Sequence, residues 1–274
     1  MALLAPSNVD YIVSFFALSR LGYTVLSLSL RITPLAIINL LEKTGCYTIV
    51  HGYSPQIKST LRKVNRDYHI NPVGAPTRSD FDRPGLGGNV FVREFDREEE
   101  NERIALIIHS SGSTGLPKPV MLTHKALLTH PTQGSGLHNF NALPWYHLYG
   151  VSTSLQAMWM RKTAYLYNTA LPLTADNLVA VMEAVRPEAV HCVPYALGLL
   201  AEKQRGIGAL RACQVVTAAG ARTPDELGDR LVKAGINLGV VFGTYAILCV
   251  ALTFFQADMI LVLKLVLQAT PCGG

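Results

Sequence analysis

Charge is scarce in this chain. Lysine, arginine, aspartate and glutamate together make up 16% of its 274 residues, against about 25% in an ordinary soluble domain, so the sequence covers an extensive core or is a piece of a larger one. What cations there are form no stripe with interleaved aromatics. Lys58 to Arg66 is basic, Arg93 to Arg103 mixes arginines with many acids, and the rest of the net +5 is scattered. No nucleic-acid surface is read from this, and a mild positive bias suits an anionic ligand only weakly. The five cysteines, Cys46, Cys192, Cys213, Cys249 and Cys272, stand far apart without any Cys-x-x-Cys spacing. Neither a disulfide framework nor a zinc site is expected, and reduced thiols in a cytoplasmic protein are the default. The first cation is Arg20, so the N-terminus has no basic segment and no signal peptide is read. No Gly-x-Ser-x-Gly elbow occurs, which argues against a serine hydrolase.

What is present is alternation. Helix-like stretches are read at Ser7 to Leu21, Thr33 to Lys43, Ser54 to Arg66, Thr123 to about His130, Tyr149 to Met160, Ala175 to Val185, Pro194 to Lys203 and Pro224 to Lys233. Continuous apolar runs between them read as strands buried on both faces: Tyr23 to Leu30, Tyr47 to Val50, Asn139 to Leu143, Thr163 to Tyr167, Ala189 to Val193, Cys213 to Ala218, and Asn237 to Phe242 as the last. Asn71 to Glu102 is rich in Pro, Gly and charge and reads as a long surface excursion. The alternation predicts an α/β chain with mostly parallel sheets flanked by helices.

One segment stands out chemically. Ile104-Ala-Leu-Ile-Ile-His109 is a strand that runs straight into Ser110-Ser-Gly-Ser-Thr-Gly-Leu-Pro-Lys118. The backbone N–H groups and the hydroxyls of Ser110, Ser111, Ser113 and Thr114 can surround a phosphate, with Lys118 to neutralise it. Gly112 and Gly115 let the backbone approach without a clashing Cβ. It is not a P-loop, because Leu116 and Pro117 separate Gly115 from Lys118, and it is not a Gly-x-Gly-x-x-Gly dinucleotide loop. The alternative reading is an ordinary Ser/Gly surface loop.

The order Ser-Gly-Ser-Thr-Gly-x-Pro-Lys resembles the phosphate loop of AMP-forming acyl and carboxylate adenylating enzymes, a superfamily of acyl-CoA synthetases, luciferases and nonribosomal-peptide-synthetase adenylation domains. Pro119 departs from the glycine usual after the lysine and removes an N–H donor. Three further boxes match. Leu143-Pro-Trp-Tyr-His147-Leu-Tyr-Gly150 resembles the Leu-Pro-x-x-His-x-x-Gly box, which makes His147 a candidate to meet the substrate carboxylate or the α-phosphate; a His packed at a strand end is the alternative. Thr217-Ala-Ala-Gly220-Ala221 resembles the box along the adenine, where Gly220 and Ala221 would let the base approach; a plain strand-to-helix turn is the alternative. Phe242-Gly243-Thr244 resembles the start of an aromatic-Gly-Thr-Thr-Glu box, with Phe242 to stack on the base and Thr244 to reach the α-phosphate. The wording of Ala5 to Gly22 and of the loop is closest to fungal nonribosomal-peptide-synthetase-like proteins similar to α-aminoadipate reductases.

The resemblance implies part of the N-terminal domain of the acetyl-CoA-synthetase-like fold over residues 1–244. Its reaction is attack of a carboxylic acid on the α-phosphate of ATP with Mg²⁺, followed by transfer to a phosphopantetheine carrier or CoA. Lys118, His147 and Thr244 are the implied catalytic residues. The box breaks after Thr244: the position of the metal-holding glutamate is Ala246, so no protein metal ligand is expected and the Mg²⁺ site is weakened. Residues 245–274 form an apolar tail unlike the family, and no counterpart of the C-terminal lid is read. The expectation is a truncated gene product, its tail translated non-coding sequence such as a retained intron. Impaired carboxylate activation follows, with a non-catalytic nucleotide-binding fragment or a non-functional product as the alternatives. Leu238 to Ala257 is about twenty residues without a charge, long enough to span a bilayer, but a buried strand followed by a disordered or sticky apolar tail is the preferred reading.

Overall fold

Helix starts in this chain are set by side chains that replace a missing backbone acceptor. The carbonyl of Asn8 accepts from Tyr11 N–H at 3.0 Å, and the hydroxyls of Thr33, Ser54 and Thr174 accept from the N–H three residues on at 3.1–3.3 Å. In a computed structural model of the chain, which describes residues 1–82, 91–110, 115–129, 131–244, 247–256 and 259–264, these caps open four of the helices that cover two sheets.

The chain divides into two compact units. The first holds Met1–Leu128 together with Trp145–His147. Its elements are β1 (Ala2–Leu4), α1 (Val9–Arg20), β2 (Val25–Ser27), α2 (Pro34–Thr44), β3 (Thr48–His51), α3 (Pro55–Asp67), β4 (Asn71–Gly74), two short helices α4 (Arg78–Phe81) and α5 (Arg97–Glu102), β5 (Ile104–His109) and β6 (Pro119–Thr123), followed by α6 (His124–Thr129). The sheet order is β4-β3-β1-β2-β5-β6, parallel throughout except for β6, which runs antiparallel to β5. Leu4, Leu26, Ile37, Leu41, Ile49, Ile57 and Val64 are buried between this sheet and α2 and α3.

The second unit holds Thr129–Pro144 and Leu148–Gly274. After a 3-10 turn at Pro131–Gln133 come β7 (Asn139–Asn141), α7 (Leu148–Trp159), β8 (Ala164–Leu166), α8 (Ala175–Val185), β9 (Ala189–Cys192), α9 (Pro194–Ala201), α10 (Gln204–Arg211), β10 (Val215–Ala218), α11 (Asp225–Lys233), β11 (Leu238–Thr244), β12 (Ile247–Gln256) and β13 (Met259–Lys264). The order is β13-β12-β11-β10-β9-β7-β8, with β7 to β11 parallel and the β11–β12 and β12–β13 pairs antiparallel. Phe140, Leu178, Val190, Leu197, Val216, Leu231 and Leu238 form its core.

The predicted α/β class with mostly parallel sheets is what the chain adopts. The differences lie at edges. Asn71 to Glu102 is not one irregular excursion but carries β4 and two short helices. All four residues of β4 are exposed, so this edge strand lacks the apolar pattern by which strands are read. β6 went unread for a similar reason: it opens on Pro119 at a sheet edge, where proline is tolerated. The strand ending near Phe242 is not the last, since β12 and β13 follow it. Among the described residues no helix is long and apolar enough to cross a membrane.

Candidate functional site

The hydroxyl-rich loop leaves the carboxyl end of β5, the end at which open α/β sheets receive ligands. Its base is closed by the backbone. Ser110 N–H donates to the Lys118 carbonyl at 3.0 Å, and Lys118 N–H reaches back to the Ser110 hydroxyl at 3.4 Å. Asn39 of α2 holds the Pro117 carbonyl at 2.8 Å. Gly115 adopts φ +141°, a conformation that an L side chain rarely enters. Lys118 is exposed, and its ammonium forms no ion pair among the described residues. Ser111, Gly112, Ser113 and Thr114, expected to line the loop, lie outside the described residues.

His147 is carried into the first unit by its neighbours. Trp145 N–H donates to the Ser7 hydroxyl at 2.8 Å, and the Trp145 ring meets Phe15 and Phe16 edge-on at 5.6 and 5.7 Å. His147 therefore belongs to the unit that bears the loop. Tyr146 and His147 have ring centroids 4.9 Å apart. Burial, helped by the nearby His109 and Arg31, lowers the His147 pKa to about 4, so the imidazole is neutral at pH 7. His109, the last residue of β5, is neutral as well: burial lowers its pKa, the Ser110 backbone working against this. Its Nε2 accepts from Ser29 N–H at 3.3 Å, and the Ser29 hydroxyl in turn accepts from Arg31 N–H at 3.2 Å. Burial raises the Tyr146 phenol, with the Arg31 charge and the Ser29 hydroxyl pulling the other way. No local pattern marks Ser29 or Arg31 as neighbours of this site. The signal for His109 was its place directly before Ser110.

In the second unit the box around residue 147 is pinned from β7. The Asn139 amide donates to the Thr153 carbonyl at 2.8 Å, and the Asn141 amide to the Gly150 carbonyl at 2.9 Å. Gly150 is required sterically, because a Cβ there would collide with the Pro144 carbonyl. Gly220 and Ala221 are exposed at the turn after β10, with Gly220 at φ +88°. Behind them sits a polar cluster that sequence reading missed. The Thr217 hydroxyl bonds His191 Nδ1 at 2.6 Å and also the Tyr149 hydroxyl, while the Tyr149 and His191 rings meet edge-on at 5.9 Å. Burial raises the Tyr149 phenol pKa and pushes the Cys192 thiol up to about 12, so both stay protonated. Phe242, Gly243 and Thr244 end β11, where the pairing with β12 shifts register between Phe242 and Thr244. Ala246 lies outside the described residues.

Among the described residues no three His, Cys, Asp or Glu cluster as metal ligands, and the position at which the resemblance puts a metal-holding glutamate is an alanine in the sequence.

A loop closed at its base at the carboxyl end of a strand, with an exposed cation, places the chain among α/β proteins that can receive an anionic ligand there. The chain belongs to the AMP-binding enzyme family, whose model matches residues 1–255. It is 30% identical over 271 residues to the non-ribosomal peptide synthetase ascB of Acremonium egyptiacum, covering 94% of this chain and 24% of that protein. It is likewise 30% identical over 273 residues to the adenylate-forming reductase stbB of Stachybotrys bisbyi, covering 94% and 25%. The chain thus spans about a quarter of the length of these relatives. The fold is similar to the N-terminal domain of FACL13 from Mycobacterium tuberculosis, solved with an inhibitor (TM-score 0.75, 17% identity, 92% of this chain and 65% of that one). It is also similar to the Klebsiella oxytoca NpsA N-terminal subdomain, solved with 3-hydroxyanthranilyl-AMSN (TM-score 0.73, 16% identity, 94% and 64%).

Proposed function

We propose that this chain is the phosphate- and acyl-binding part of an enzyme that activates a carboxylic acid with ATP, giving an acyl adenylate and pyrophosphate. The observation that carries the reading is the loop at the end of β5, closed between Ser110 and Lys118 and presenting a lysine with no ion-pair partner among the described residues. An exposed ammonium on a loop rich in hydroxyls and glycine is suited to the β- and γ-phosphates of ATP. Ser110 to Thr114 grip the triphosphate, Gly220 and Ala221 face the adenine, Phe242 stacks on it, and Thr244 reaches the α-phosphate. His147 meets the substrate carboxylate or the α-phosphate as a neutral hydrogen-bond donor.

Adenylyl transfer depends mainly on positioning and charge stabilisation. Mg²⁺ bridging the phosphates supplies charge neutralisation when bound, but with alanine at 246 the protein adds no carboxylate to hold it. A lost preorganised contact of that kind costs roughly 10²–10³ in rate, so turnover by this chain alone is slow and nucleotide binding is the activity to look for. That similar N-terminal domains were solved with an inhibitor or an AMSN compound supports ligand binding by this portion of the fold. In the full-length family the acyl group is expected to pass to the thiol of CoA or of a phosphopantetheine carrier.

Calorimetry with ATP tests the reading. The wild-type chain binds ATP, and Lys118→Ala weakens binding about tenfold or more, the scale of a hydrogen bond to a charged group. Equal affinity of the two proteins, or no binding by the wild type, sinks it. A pyrophosphate-exchange assay separates a slow enzyme from a non-catalytic nucleotide-binding module, which the alanine at 246 favours as the second reading.

A further inference from the structure

His109 ends β5, directly before the first hydroxyl of the loop, and is 7% exposed. Ser29 N–H donates to its Nε2 at 3.3 Å. A ring nitrogen that accepts carries no proton, so in the neutral imidazole the proton sits on Nδ1. That nitrogen is buried, and no acceptor meets it in hydrogen-bond geometry among the described residues; the Ser110 backbone lies near enough to favour a proton on the ring without closing such a bond. Native chains pair nearly all such groups, and leaving one unpaired costs stability. The ring cannot turn to relieve it without giving up the Ser29 bond. A buried, uncharged donor is therefore held directly before the loop, in the same unit as His147.

We propose that His109 is a ligand-binding residue whose Nδ1–H donates a hydrogen bond to an oxygen at the acyl–phosphate junction of the bound adenylate. This rests on the adenylate-forming reading given above. Carboxylate, acyl and phosphoryl oxygens accept only, so they complement an N–H that offers nothing back. An uncharged imidazole makes the contact without the desolvation cost of an ion, and in a dry setting the bond is stronger than in water.

Two substitutions separate the ring's two edges. His109→Asn places an amide where Nδ1 stood and gives up the acceptor for Ser29. His109→Gln places the amide at the Nε2 end, keeps the acceptor and gives up the Nδ1 donor. Calorimetry on the full chain uses benzoyl-sulfamoyladenosine, an acyl-adenylate mimic that cannot react. H109Q is expected to bind about ten- to a hundredfold more weakly than the wild type, and H109N to stay close to it. In thermal unfolding of the free proteins the order reverses, H109N being the less stable. H109Q binding as tightly as the wild type overturns the proposal, and so does an equal loss in both variants, which a packing role would give. A wild type that fails to bind the mimic overturns the parent reading as well, whereas normal wild-type binding with an unaffected H109Q overturns this inference alone. If the variants do not fold, ¹⁵N NMR of the wild type decides: the His109 Nδ1 resonance moves when the mimic binds, and an unmoved resonance overturns the proposal.

Discussion

The strand ends of the two units treat their polar groups in opposite ways. At the end of β5 the first unit leaves groups open: Lys118 has no counter-ion and His109 Nδ1 no acceptor among the described residues, and both lie within ten residues of one another in sequence. At the ends of β9 and β10 the second unit closes its groups on each other, Tyr149 and His191 both meeting the Thr217 hydroxyl. His109, His191 and Thr217 are all buried toward the carboxyl ends of parallel strands, so position in the fold does not distinguish them. Hydrogen-bond completeness does. A satisfied buried network specifies packing, while an incomplete one marks where an outside partner is received.

The comparison is broken most severely at the backbone. Gly150→Ala puts a methyl group against the Pro144 carbonyl in the turn that α7 grows from. Overpacking of this kind costs about 1–3 kcal/mol, and a backbone neighbour gives way less readily than a side chain, so the upper end is expected. Thermal or urea unfolding measures it. A variant as stable as the wild type would mean that the turn yields freely.

Thr217→Val comes next. The side chain keeps its volume but loses the hydroxyl that joins Tyr149 and His191, leaving the pair with only their own long contact of 3.5 Å at this centre. A cost of about 1–3 kcal/mol is expected. Urea unfolding should show a lower midpoint at unchanged slope, with ATP affinity unaltered. A neutral effect would show that the cluster is not the closed network described.

How much of this could be read from the sequence depends on the distance each feature spans. The helices that open after Thr33 and Ser54 are written within a few residues, and reading them locally succeeds. The Tyr149–Thr217–His191 cluster draws on positions 26 and 68 residues apart, and the Ser29–His109 bond on positions 80 apart. No local pattern announces either. Edge strands fail for another reason: β4 buries nothing, so it lacks the alternation that reveals a strand, and β6 begins with a residue that normally argues against one. His147 was singled out by its box, but its placement beside His109 depends on Trp145 meeting Phe15 and Phe16, which the box does not encode.

Glu100 provides a test within the first unit, since it is a polar centre there that is fully satisfied. Arg93 grips it through both oxygens at 2.8 and 2.6 Å, and Arg103 and His124 approach at 3.1 and 3.3 Å. The Arg93 hydrogen bonds, with the Arg103, Arg93 and His124 charges assisting, hold its carboxyl at about 2 against an ordinary value of 4.5, burial opposing them. The folded-state pKa is depressed, so the contribution is fully present above about pH 4.5 and is lost as pH falls toward 2. Glu100→Gln is expected to cost about 1–2 kcal/mol at pH 7 after solvent screening. The gap from the wild type should close between pH 4.5 and pH 2 in thermal unfolding. A pH-independent gap would place the effect in packing.

The smallest expected change is the most discriminating. If His109 belongs to the unsatisfied side of the comparison, removing its Nδ1–H takes away nothing the free chain uses. His109→Gln keeps an acceptor for Ser29 N–H and is expected to shift stability by no more than about 0.5 kcal/mol, the range of substitutions that break no feature of the fold. Thr217→Val, equally buried and equally conservative in volume, loses several times that. A His109→Gln chain as damaged as Thr217→Val would mean that both strand ends are finished structures in the free protein, and the contrast between them would disappear. If the two variants diverge as expected, the free energy withheld from folding at the end of β5 remains available for binding, where the loss in affinity should reveal it.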